Sequence, residues 1–150
     1  MASTERRLAV TRTIAASAAA IFEVLATPSL HSTIDGSGSV GAPKSAPDRL
    51  SLGARFTVAM RLGIPYQMTN VVTVFQEGRA IAWHHVGGFT WRYDLVPIDG
   101  GTEVTESFDY RGGLGVLLSF TTFPARNRQA MAATLERLER VVTANEGLTA

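Results

Sequence analysis

Residues 89–111 read FTWRYDLVPIDGGTEVTESFDYR. Two runs of alternating polarity flank Asp99-Gly100-Gly101, and a glycine-bearing link this short between such runs predicts an antiparallel hairpin. Alternation sends strand neighbours to opposite faces. It groups Phe89, Trp91, Tyr93 and Leu95 against Arg92 and Asp94. On the second strand it groups Val104, Glu106, Phe108 and Tyr110 against Thr105, Ser107 and Asp109. A glutamate is thereby carried on the apolar side.

The pattern extends upstream. YQMTNVVTVF (66–75) meets AIAWHHV (80–86) through Glu77-Gly78-Arg79, and Gly87-Gly88 leads on into the hairpin. Residues 65–111 are therefore predicted to form an antiparallel meander. Ile81, Trp83 and His85 share a face, with His84 opposite, and Met68, Asn70, Val72 and Val74 align. ARFTVAM (54–60) adds a strand with Phe56, Val58 and Met60 together.

Farther out the period changes. RRLAVTRTI (6–14) reads as a first strand with Leu8, Val10 and, after a slip, Ile14 set against Arg7 and Arg12. Ser17 is placed to cap a helix ending near Ala26, and Pro28 starts a second short helix reaching about Ile34. Residues 35–53, dense in Gly, Ser and Pro, leave room for at most one short strand. Downstream, Pro124 suits a first helical turn, and Met131, Leu135, Leu138 and Val142 mark a long helix over 124–144, with Gly147 beyond its end. No repeat or linker divides the chain, so residues 1–150 are read as one domain.

Composition narrows the function. The formal charge is +1, and the local basic cluster Arg126, Arg128, Arg137 and Arg140 is interleaved with Glu136 and Glu139, which argues against a nucleic-acid partner. The chain has no cysteine, which excludes disulfides, Cys-ligated zinc and thiol chemistry. Arg6-Arg7 before an Ala-rich stretch imitates an export signal. Glu23 interrupts that stretch, however, and Ala18, Ile21, Phe22 and Leu25 fall at helical spacing, so a folded helix and a cytoplasmic location are expected. No run is long enough for stable membrane insertion.

GSGSVG (36–41) matches G-x-G-x-x-G literally. That motif binds a dinucleotide only between a strand and a following helix, whereas here a helix precedes it and Pro43 and Pro47 follow. No cofactor is expected. His84 and His85 are adjacent on a strand and point apart, so they share no metal, and His31 has no ligand spacing to either.

The order strand, two helices, six antiparallel strands and a long helix resembles the helix-grip fold. That is an α+β architecture in which a curved antiparallel sheet of about seven strands wraps a long C-terminal helix. The stretches ASAAAIFEVLATPSLHSTIDGSG, GRAIAW (78–83), WRYDLVP with GGTEVTESF, and the helix after FPARNR resemble the START-related superfamily, within it the polyketide cyclase/dehydrase and lipid-transport (SRPBCC) family. The resemblance implies an apolar cavity between sheet and helix, hydrophobic ligands such as a lipid, polyketide or aromatic metabolite, and in some members cyclase or dehydratase chemistry without a cofactor.

Independently of the family, a bent sheet gripping one helix leaves interior space as a natural ligand site. The inward residues are then Asn70, Trp83, Trp91, Tyr93, Phe108 and Tyr110, with Asn127 and Met131 from the helix, as ligand contacts. His85 and Glu106 are the candidate acid–base pair, and their alternative is as satisfied interior polar groups. The loop 112–122 is read as a mobile lid, a fixed plug or a dimer contact, and His31–Gly41 as the opposite rim. Three functions remain: ligand binding, cyclase/dehydratase catalysis, and a homodimeric interaction module.

Overall fold

The computed structural model describes residues 6–62, 64–85, 88–111 and 122–149. In chain order these form β1 (Arg7–Ile14), α1 (Ala18–Leu25), a 3-10 turn (Pro28–Leu30), α2 (His31–Ile34), β2 (Val40–Ser45), β3 (Arg55–Leu62), β4 (Ile64–Gln76), β5 (Ala80–His85), β6 (Thr90–Ile98), β7 (Gly101–Asp109) and α3 (Phe123–Thr149). The strands make one seven-stranded sheet, ordered β1-β7-β6-β5-β4-β3-β2, with every neighbouring pair antiparallel. Only β1 reaches across the sheet to its partner, because the other strands pair with the next in sequence. This is the α+β helix-grip arrangement expected from the meander and the final helix.

Local chemistry accounts for the element ends. Ser17 holds extended angles (φ −69°, ψ 150°), and its hydroxyl accepts from the Ala20 amide at 3.1 Å, capping α1. Ile21, Phe22, Val24 and Leu25 then bury one side of that helix. On α3, Met131, Leu135, Leu138 and Val142 are buried along a single stripe. With Ile14, Phe56, Val72, Ile81, Leu95 and Val104 they fill the layer between sheet and helices. Each such side chain contributes roughly 1.5–3 kcal/mol.

The structure corrects the sequence reading in three places. In β1 there is no slip: an unbroken register from Arg7 opposite Asp109 to Ile14 opposite Thr102 puts Arg12 on the same face as Leu8, Val10 and Ile14. Arg12 is accommodated because its guanidinium meets Glu139 of α3 at 2.9 Å and Glu136 at 4.0 Å. In β4 the register shifts between Val72 and Val74. This bulge reverses parity, so Phe75, opposite Ile81, turns to the core in place of Val74 and meets the Phe22 ring edge-on at 5.2 Å. Last, α3 runs beyond residue 144 and includes Gly147, since no proline follows to stop it.

The glycines of GSGSVG have structural duties. A Cβ built at Gly36 would lie 2.3 Å from the Ala130 carbonyl oxygen and 2.6 Å from the Thr134 nitrogen of α3, so only glycine permits this approach. Its amide donates to the Thr134 hydroxyl at 2.9 Å. Gly38 adopts φ +75°, the left-handed region that glycine enters without penalty. The match to the dinucleotide motif is a loop fastened to a helix.

Candidate functional site

The sheet register sets the inner face out in rows. One row crosses Ile81, Tyr93, Glu106 and Val10; the next crosses Val72, Trp83, Trp91, Phe108 and Leu8. Glu106 is only 2% exposed. Tyr93, directly opposite on β6 and also buried, donates its hydroxyl to Glu106 Oε1 at 3.1 Å. Glu106 Oε2 is buried with no hydrogen-bond partner among the described residues. Removal from water favours the neutral acid and pushes the Glu106 carboxyl up to about 8. The Tyr93 hydrogen bond opposes that rise, and the negative charge of Asp35 adds to it. Glu106 is therefore mostly protonated at neutral pH. Burial, then the neighbouring Glu106, holds the Tyr93 phenol well above its ordinary value.

Asp35 itself is committed. One of its oxygens accepts from the Ser37 amide at 3.0 Å and the other from the Val40 amide at 3.0 Å, while Ser37 Oγ donates to both. Its backbone carbonyl is held by Arg137 of α3.

An aromatic ladder flanks the carboxyl. Trp91 and Phe108 have centroids 4.2 Å apart, Phe108 stacks on Tyr110 at 5.7 Å, and Trp83 tilts against Tyr93 at 5.8 Å. Asn70, Asn127 and Met131 are buried as expected, and Asn127 Nδ2 has no hydrogen-bond partner among the described residues. Leu8, Phe108, Tyr110 and Met131 cluster together, one helical turn from Asn127. The buried layer is thus mostly apolar, and Glu106 Oε2 and Asn127 Nδ2 join Arg6 Nε and Arg12 Nε as its buried polar atoms without a hydrogen-bond partner among the described residues.

His85 stands apart from this centre. It lies opposite Asn70 at the end of β5, four residues along from Ile81 and two strands from Glu106. Strand spacing and rise put the Cα atoms of His85 and Glu106 on the order of 15 Å apart. Direct proton exchange within such a pair has no geometric basis, since the acid's partner is Tyr93. His85 is half-buried and stacks on Phe89 at 5.8 Å. Burial, then the adjacent His84, lowers its pKa.

His31 is the residue sequence reasoning misplaced. Expected on a rim, it is buried, with Nε2 2.8 Å from the Leu25 carbonyl and its ring stacked on Trp83 at 5.1 Å. Burial lowers its pKa, partly offset by the Leu25 carbonyl. The available signal was the turn Thr27–His31, which Pro28 fixes and which points this side chain back under α1. Of the predicted lid, residues 112–121 lie outside those described. Among the described residues no group of three His, Asp or Glu side chains could hold a metal ion, and no helix is long and apolar enough to cross a membrane.

Residues 5–143 match the family described as polyketide cyclase / dehydrase and lipid transport. The chain belongs to that family. A curated relative of this polyketide cyclase/dehydrase and lipid-transport chain is the uncharacterized protein Rv0088 of Mycobacterium tuberculosis. It is 36% identical over 132 residues, covering 83% of this chain and 59% of the relative, so the chain spans about three fifths of that protein. Among solved structures, protein NE0264 from Nitrosomonas europaea is similar with TM-score 0.74 at 15% identity, covering 98% of this chain and 99% of that one. The AHSA1-like protein from Aeromonas hydrophila has TM-score 0.70 at 19% identity, covering 93% and 94%. At these identities the structures speak for the helix-grip fold alone.

Proposed function

We propose that this protein binds an apolar small molecule carrying an oxygen function, such as a lipid, polyketide or aromatic metabolite, between the sheet and α3. The observation that carries the reading is Glu106: a buried carboxyl with one oxygen satisfied by Tyr93 and the other without a hydrogen-bond partner among the described residues. Leaving a buried polar atom unpaired costs ~1–3 kcal/mol, which a guest's hydroxyl or carbonyl would recover. Trp91, Phe108 and Tyr110 offer ring surface to the guest's body, and the Asn127 amide offers a second polar contact. His85 serves at the edge of the site.

Native mass spectrometry of freshly purified protein is expected to show a retained guest, and a fluorescent fatty acid or polyaromatic should be taken up. Glu106→Ala should weaken uptake of oxygen-bearing probes selectively, whereas His85→Ala leaves it nearly intact. Failure to take up any apolar probe would sink the reading.

The same carboxyl supports a second reading, cofactor-independent cyclase or dehydratase chemistry. A glutamic acid that keeps its proton at neutral pH can protonate a substrate oxygen, with Tyr93 holding it in place. Turnover would then vanish in Glu106→Gln while binding persists.

A further inference from the structure

Val104 and Phe108 flank Glu106 on the inner face of β7, and Val10 and Tyr93 stand opposite it on β1 and β6. Of these four neighbours Tyr93 alone carries a polar group. Among the described residues no lysine, arginine or histidine pairs with the carboxyl. The acidic groups that bear on it are Tyr93 of β6 and Asp35 beyond α2. Arg12, the cation on that face of β1, is engaged by Glu139 and Glu136 of α3. Of the histidines, His31 lies against Trp83 and His85 against Phe89. A negative charge without a cation in such surroundings is costly, so the native state keeps the neutral acid. The rise of this carboxyl to about 8 agrees with that.

In a neutral carboxyl one oxygen is an acceptor and the other carries the hydrogen. Tyr93 donates to Oε1 at 3.1 Å, which makes Oε1 the acceptor and leaves the hydrogen on Oε2. The buried group without a partner is therefore a donor. A ketone answers it with a lone pair and brings no hydrogen of its own. An alcohol brings a hydrogen that needs a further acceptor, and no carboxylate is there to take it.

Building on the binding reading above, we infer that Glu106 makes the interior site selective for a carbonyl guest, a ketone or quinone oxygen accepting from Oε2, over the alcohol of the same carbon frame. Ionisation reverses the sense of the contact, because a carboxylate repels the ketone oxygen and accepts from the alcohol.

Equilibrium dialysis of the full chain against matched pairs, acetophenone and acetonaphthone each beside its reduced alcohol, tests it. At pH 6.5 the ketone should bind about tenfold tighter, since the alcohol leaves a buried hydrogen unanswered. Ketone affinity should fall about fourfold by pH 8.5 as Glu106 ionises, while that of the alcohol holds or rises. Carbon-13 in the ketone carbonyl should shift downfield on binding, the mark of a donated hydrogen bond. Glu106→Gln carries a permanent N–H donor, so it should keep the ketone preference and lose the pH dependence. Circular dichroism at each pH checks that the chain stays folded. Equal affinity for ketone and alcohol at pH 6.5, or a ketone affinity in the unmodified protein that is flat with pH, overturns the inference and leaves the binding reading standing. Uptake of neither member of any pair removes the binding reading, and the inference with it.

Discussion

Replacing Glu106 by Gln should change how stability depends on pH. Folding raises this carboxyl from 4.5 to about 8, so the native state binds the proton more tightly than the unfolded chain. A raised folded pKa means that the contribution is intact below pH 4.5 and is lost as pH climbs toward 8. At about 1.4 kcal/mol per pH unit, ~5 kcal/mol of stability should disappear across that window, around 2 kcal/mol of it by pH 6. For a chain of this size that corresponds to a fall in Tm of about 10 °C or more. Gln keeps the shape and the acceptor for Tyr93 but cannot ionise. Thermal unfolding of both proteins from pH 4.5 to 9 should therefore give curves that converge or cross, the wild type falling relative to Glu106→Gln. His31 acts in the opposite sense: its lowered folded pKa removes stability as pH drops below 6.5, equally in both proteins. The difference between the curves isolates Glu106. Parallel curves throughout would show that this carboxyl ionises as freely folded as unfolded, and the argument from burial would be refuted.

Tyr93→Phe deletes the hydrogen bond that opposes the desolvation of Glu106, so the acid should titrate still higher than about 8. Carbon-13 detection of the carboxyl gives the answer directly, and an unmoved or lowered midpoint would remove the phenol from its assigned role. Gly36→Ala forces a methyl against the backbone of α3 and should cost about 1–3 kcal/mol, read as a lower urea midpoint at unchanged slope.

The elements with strong periodicity were legible in the chain. The 89–111 hairpin announced itself by alternation around Asp99-Gly100-Gly101, and its register, with Tyr93 facing Glu106, follows from the short link. Burial of Glu106 was likewise readable, because its strand neighbours Val104 and Phe108 are apolar. Alternation carries no information about an inserted residue, and so Val74 was assigned the face that Phe75 occupies. Charge misled in β1: Arg12 looks solvent-bound until Glu139, 127 residues away, supplies its partner. His31 owes its place to packing between a proline turn and Trp83, a contact between elements far apart in the sequence. Distances within a face are equally hidden. Parity put His85 and Glu106 on one side of the sheet, but only the pairing of β5 with β6 and β7 reveals how far apart they lie.

The attachment of residues 35–37 to α3 has a bearing on molecular traffic. Gly36 leaves no clearance, Thr134 and Arg137 bolt the turn to the helix, and this wall cannot swing open without breaking those links. On the proposed reading, a guest bound for Glu106 would not enter through this wall.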